Sequence, residues 1–216
     1  MKPKVSPPAR LVAEFLRSAP NLRGCPVDDR PEVAFAGRSN AGKSSVLNRI
    51  TGNKHLAKVS KTPGRTQLLN LFDVQAGGRL VDLPGYGYAK AGKQAQREWQ
   101  KSVNDYLSRR DNLAGVILVM DIRHPNQSFD TELIEWAQAS EMPIRALLNK
   151  ADKLSFSKRK QALGAFRKHY AGHEMLSTQV FSAANGEGLD ELFAQLSTWL
   201  GHRTQDAGSQ AHPDTD

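Results

Sequence analysis

The octapeptide GRSNAGKS, from Gly37 to Ser44, sets two glycines, a lysine and a hydroxyl in the order G-x-x-x-x-G-K-S. Before it runs the short apolar stretch PEVAFAG, and after it KSSVLNRI spaces Val46, Leu47 and Ile50 for one face of a helix. A glycine-rich turn between strand and helix lets backbone N–H groups converge, and the helix N-terminus adds a field that favours anions. Gly37, Arg38, Ser39, Asn40, Ala41, Gly42, Lys43 and Ser44 therefore read as a cradle for a polyphosphate. Lys43 is expected to reach the β- and γ-phosphates, and the Ser44 hydroxyl to ligate Mg²⁺. An ordinary strand-to-helix turn is the competing reading.

Three further clusters extend this chemistry. NKAD, comprising Asn149, Lys150, Ala151 and Asp152, follows an apolar run. A carboxylate there accepts from both the ring N–H and the exocyclic amine of guanine, whereas adenine offers no such donor pair. Asn149 would bond the base and brace the loop, with the Lys150 stem over the base face; an Asx-rich helix cap explains the same string. SAAN, with Ser182, Ala183 and Ala184, places the Ala183 N–H near the base carbonyl, against the alternative of a simple turn. Thr66 closes the loop KTPGRT, where a hydroxyl joins Mg²⁺ once the γ-phosphate orders the segment. In DLPG, Asp82 would bond a magnesium-bound water and the Gly85 N–H would meet the γ-phosphate. Lys43, Thr66, Gly85 and Asn40 are the candidate catalytic residues.

The elements that must position these groups alternate. TQLLNLFDV and GRLVDLPG read as strands joined by the turn QAGG. GVILVMD and IRALLNK are continuously apolar, as in parallel strands covered on both faces, and QVFSA is a last short strand. FDTELIEWAQAS, SFSKRKQALGAFRKHYAG and the apolar face Leu189, Leu192, Phe193, Leu196 and Leu200 supply helices. The expected fold is a doubly wound α/β one, with a mostly parallel six-stranded sheet and helices on both faces; with the motifs above it resembles a P-loop NTPase of the Ras-like G-domain kind. The G domain is expected over 31–201, with an N-terminal extension at 1–30 and a disordered tail at 202–216.

Among the 216 residues the net charge is +8 and the pI about 9.7, which points to an anionic partner or to a solvated charged surface. Cys25 is the single cysteine, so no intrachain disulfide forms and a reducing compartment follows. No stretch approaches the ~20 apolar residues that span a bilayer. A cytoplasmic protein, monomeric by default, is expected.

Taken in order, GRSNAGKS, TPGRT, DLPG, NKAD and SAAN resemble the five motifs of a translation-factor-class GTPase. More narrowly, GRSNAGKSS, KTPGRTQLLN and DLPGYGYA resemble the EngB (YihA/YsxC) family of bacterial GTP-binding proteins, within the TrmE-Era-EngA-EngB-Septin-like superfamily. The resemblance implies GTP/GDP and Mg²⁺ as cofactors, and the large ribosomal subunit precursor, rRNA and ribosomal proteins, as partner. It also implies division and septation defects when the protein is missing. Carried over residue by residue, nucleotide contacts fall on Gly37 to Ser44, on Gly64, Arg65, Thr66, Gln67 and Leu68, and on Asp82, Leu83, Pro84 and Gly85. They continue on Asn149 to Asp152 and the SAAN turn, with magnesium on Ser44 and Thr66.

Tyr86 stands where many such switches carry a glutamine that orients the attacking water, so a slow basal rate is expected, with a further positive charge arriving from outside. Asn40 has two readings, a ligand for K⁺ or a side chain bracing its loop. Tyr88 either stacks on RNA or packs on the surface. Lys158, Arg159, Lys160, Arg167 and Lys168 read as a basic stripe for phosphate contacts or as a solvated helix face. The leading function is a GTP switch with slow hydrolysis; a guanine-nucleotide sensor without turnover and a small-molecule kinase are the rivals, and NKAD opposes the last.

Overall fold

The computed structural model describes residues 10–57, 68–86 and 93–201. Gly64, Arg65, Thr66, Gln67, Tyr88 and the tail after 201 lie outside the described residues. In chain order the elements are β1 (Ala13–Ala19), β2 (Glu32–Gly37), α1 (Lys43–Thr51), β3 (Leu69–Val74), β4 (Arg79–Asp82) and α2 (Lys93–Arg109). There follow β5 (Leu113–Asp121), α3 (Ser128–Ala139), β6 (Ile144–Asn149), α4 (Phe156–His169), β7 (Leu176–Val180) and α5 (Leu189–Trp199).

The strands form one sheet in the order β1-β3-β4-β2-β5-β6-β7, parallel from β4 to β7. β3 runs antiparallel to β4, and β1 antiparallel to β3. Successive residues of the central strands point to opposite faces, as the strand period of two requires. Val33, Phe35, Ile117, Val119 and Leu147 join α1 and α5 in one buried cluster. Ala34, Ala36, Val116, Leu118, Ala146 and Leu148 join α2, α3 and α4 in the other. Two covered faces explain the unbroken apolar runs.

The sheet has seven strands among the described residues, one more than the sequence leads one to expect. Its extra member, β1, carries AEFLRSA and is mostly exposed, so it shows no apolar alternation; backbone pairing to β3 defines it instead. Phe15 lies edge-on to Phe72 with ring centroids 6.0 Å apart. Helix α2 is also unanticipated, and its last turns bury Val103, Tyr106 and Leu107.

Strand order reverses at β2, whose neighbours β4 and β5 lie on opposite sides, and a crevice opens at such a point outside the strands' C-terminal ends. The other end of β2 is fixed by Glu32, which is fully buried. Its carboxylate accepts from Tyr106 Oη at 2.8 Å, from Arg110 Nε at 2.8 Å and from Arg110 Nη2 at 2.6 Å. Arg79 approaches the same group at 3.4 Å and donates twice to Asp28, at 2.7 and 2.6 Å, and once to Asp73, at 2.8 Å. At this end of the sheet buried charge is thus matched by opposite charge and hydrogen bonds. No helix among the described residues is long and apolar enough to cross a membrane.

Candidate functional site

The loop from Gly37 to Ser44 connects β2 to α1, as the motif requires. It turns by two left-handed residues, Asn40 at φ 70° and Gly42 at φ 102°. A Cβ on Gly42 would lie 2.4 Å from Asn149 Nδ2, so glycine there lets the end of β6 close on the loop. Asn149 uses that approach fully: Nδ2 donates to Ala41 O at 2.9 Å, and Oδ1 accepts from the Ala183 N–H at 3.2 Å.

Lys43 is the first residue of α1, and its ammonium pairs with the Asp82 carboxylate, each side chain about 11% exposed. Parallel pairing sets Asp82 beside Phe35 of β2, and the Leu83 N–H donates to Phe35 O at 3.0 Å. Two segments far apart in sequence therefore meet at the site through the register of β2 and β4. Beyond Pro84, Gly85 crosses the phosphate loop, where a Cβ would stand 3.5 Å from Gly37 O and Ser39 N. Next to it, Tyr86 O accepts from the Ser39 N–H at 2.7 Å. Ser44 follows Lys43 in the first turn of α1, so a hydroxyl-bearing residue adjoins the lysine that pairs with the Asp82 carboxylate. Such hard oxygens suit Mg²⁺, which a protein commonly holds through one or two side chains together with phosphate and water.

The other end of the site is built from the termini of β6 and β7. Lys150 adopts φ 65°, which sends its chain back over the loop; its Nζ donates to Asn40 O at 2.6 Å and pairs with Asp121 Oδ2 at 3.0 Å. Asp152 accepts from Ser182 Oγ at 2.7 Å, and that bond holds its carboxyl below the usual range. The Ala151 N–H donates to Phe181 O at 3.1 Å and ties the two strand ends together. Ala184 O accepts from Arg49 Nη2 at 2.9 Å.

Other residues that the sequence points to are held as follows. The Ala183 N–H, expected toward a base carbonyl, is engaged by Asn149. Asn40 contributes its carbonyl to Lys150 while the residue itself is exposed. The basic stripe is divided: Arg159 donates to Glu187 at 2.6 Å and to Leu154 O at 2.8 Å, and Arg167 donates to Thr178 O at 3.0 Å. Lys158, Lys160 and Lys168 remain exposed. Helical neighbours one and two apart point in different directions, which is why those five residues do not share a face.

Sequence reasoning also missed two carboxylates. Asp121, at the end of β5, is gripped by Arg123 through bonds of 2.9 and 2.7 Å, which together with Lys150 hold it well below the normal range. Asp130 is 1% exposed and receives the Tyr86 phenol. Burial pushes its carboxyl up to about 6. The spacing of Gln127 and Asp130 at the start of α3, which form a capping box, was the available signal.

Residues 32–150 match a family model described as 50S ribosome-binding GTPase. The chain is 52% identical over 187 residues to a protein of Pasteurella multocida described as probable GTP-binding protein EngB, covering 86% of this chain and 91% of that one. A protein of the same description from Vibrio parahaemolyticus is 52% identical over 189 residues, covering 86% and 85%. Among solved structures, a probable GTP-binding protein EngB has the same fold, with a TM-score of 0.65 and 21% identity over 80% of this chain and all of that one. Era of Aquifex aeolicus bound to GDP.AlF4- matches with a TM-score of 0.61 and 20% identity, over 78% of this chain and 56% of that one.

Proposed function

The chain belongs to the EngB family of GTP-binding proteins, and from that premise we propose a GTP-operated switch that hydrolyses its nucleotide slowly and acts in assembly of the large ribosomal subunit. The observation that carries the reading is the convergence of the Lys43–Asp82 pair and the Asn149–Asp152–Ser182 cluster on one phosphate loop. One cluster suits a polyphosphate, the other a guanine.

In this reading Lys43 exchanges its carboxylate partner for the β- and γ-phosphates, which frees Asp82 to bond a metal-bound water. Ser44 and Thr66 would hold Mg²⁺, and Gly64 to Leu68 would contact the nucleotide. The ion, when bound, neutralises charge on the phosphate oxygens. Gly85 donates its N–H to the γ-phosphate, so that the loops around Thr66 and Gly85 are ordered by GTP and released by its loss. Asp152, kept ionised by the Ser182 hydroxyl, accepts the two donors of guanine, and the Lys150 stem covers the ring. The ordered form docks on the ribosomal precursor in the cytoplasm, and loss of the protein impairs division and septation.

Slow turnover follows from Tyr86, which has no amide to orient water and is buried beneath α3. A supplied positive group accelerates related sites by ~10³ to 10⁵. The same burial favours a second reading, a guanine-nucleotide sensor without turnover. Phosphate release above background that Lys43→Ala abolishes supports the switch; release equal to background supports the sensor. Equal turnover in KCl and NaCl at matched ionic strength, unaltered by Asn40→Ala, would remove K⁺ as the supplied charge. Co-sedimentation with large subunits in GDP, GTP and a non-hydrolysable analogue tests the partner: recovery confined to the triphosphate states is expected, and recovery independent of nucleotide rejects a switch.

A further inference from the structure

The residue after Gly85 is held from two directions. Its carbonyl accepts from Ser39 N at 2.7 Å, inside the phosphate loop, and a parallel bridge joins Arg38 to Tyr86. Its phenol passes under α3, where the ring lies against Phe129 with centroids 4.2 Å apart and the hydroxyl donates to Asp130 Oδ1. Tyr86 is 6% exposed and Asp130 1%. Asp130 is itself fixed, because its other oxygen accepts from the Gln127 N–H at 3.0 Å at the start of α3. On the other side of Gly85 the chain is pinned by the Leu83 N–H bond to Phe35 O at 3.0 Å.

A glycine has the widest backbone freedom of any residue, so an N–H that must meet one phosphate oxygen gains from neighbours that cannot move. We propose that Asp130 is a positioning residue that acts through Tyr86: the buried phenol–carboxylate bond locks the start of the second switch and aims the Gly85 N–H at the γ-phosphate. The proposal rests on the reading of Gly85 as the γ-phosphate sensor. Tyr86 thus gives up the water-orienting role of a glutamine and serves as an anchor between the phosphate loop and α3. Both side chains are buried at α3, and a diphosphate has no oxygen for Gly85 to meet, so their effect is confined to the triphosphate state.

Affinities for GDP and for a non-hydrolysable GTP analogue, measured by fluorescence titration with Mg²⁺ on the full chain, test this in four forms: wild type, Tyr86→Phe, Asp130→Ala and the double variant. Tyr86→Phe keeps the ring against Phe129 and removes only the bond, so its fold is the best preserved. The ratio of analogue Kd to GDP Kd is expected to rise about five- to tenfold in each single variant, the loss of one neutral or charge-assisted hydrogen bond. The double variant should add nothing to Asp130→Ala, since Tyr86→Phe breaks only a bond that Asp130→Ala has already removed. An unchanged ratio in Tyr86→Phe overturns the proposal, and so does a parallel loss of both affinities. Additive single effects overturn it as well, because they would mean that the residues act separately. Wild type that binds neither guanine nucleotide would instead refute the GTP-switch reading itself.

Discussion

At the scale of single residues, the proposed choice of guanine hangs on one carboxylate. Asp152 receives the Ser182 hydroxyl at 2.7 Å, which holds its carboxyl below the usual range and fixes its orientation. The substitution Asp152→Asn turns one acceptor into a donor; guanosine affinity should fall by ~10² or more while xanthosine nucleotides, with a 2-oxo group, gain. Competition titrations with GDP, XDP and ADP check the order. Asn149, Lys150 and Asp152 were legible because four consecutive residues carry the signal. Asp121 and Asp130 were not: their partners, Lys150 and Tyr86, lie far off in the chain and become neighbours only through strand register and helix packing.

Elements were legible where their residues repeat with a period and illegible where the backbone alone defines them. The apolar runs of β2, β5 and β6 announce strands covered on both faces, whereas β1 exposes most of its side chains. One glycine in β5 carries a packing demand of the same scale: a Cβ on Gly115 would lie 2.6 Å from the Trp199 ring at the end of α5. Gly115→Ala should therefore cost about 1–3 kcal/mol by overpacking, read as a lowered denaturant midpoint with an unchanged slope. On α4, only Lys158, Lys160 and Lys168 of the expected basic stripe present themselves to solvent without a described tether to the sheet side. Lys158→Glu with Lys160→Glu should weaken co-sedimentation with large subunits, most at low salt, and leave GDP affinity unaltered; equal recovery rejects these two lysines as contacts.

For the molecule as a whole, two ends of one sheet do different work. Strand C-termini carry the candidate site, while the opposite end is closed by Glu32, Arg79, Arg110, Asp28 and Asp73. The Arg79 hydrogen bonds pull the Asp28 carboxyl down to about 2. A lowered folded-state value means stability that is present above pH ~4 and is lost as pH falls toward 2. Asp130, raised to about 6, acts in the opposite sense and favours the fold as pH drops through that value. Chemical denaturation from pH 5 to 2 should show a steeper fall for wild type than for Asp28→Asn. The early segment bears on how the protein can be handled in the laboratory. The family match begins at residue 32, yet Asp28 and β1 precede it. A recombinant chain that kept its C-terminal end but started at residue 32 would strip Arg79 of its bidentate carboxylate and leave β3 as a raw margin able to zip onto a second molecule. Such a fragment should elute early in size-exclusion chromatography and precipitate on concentration, and cloning from residue 10 or earlier should cure both faults.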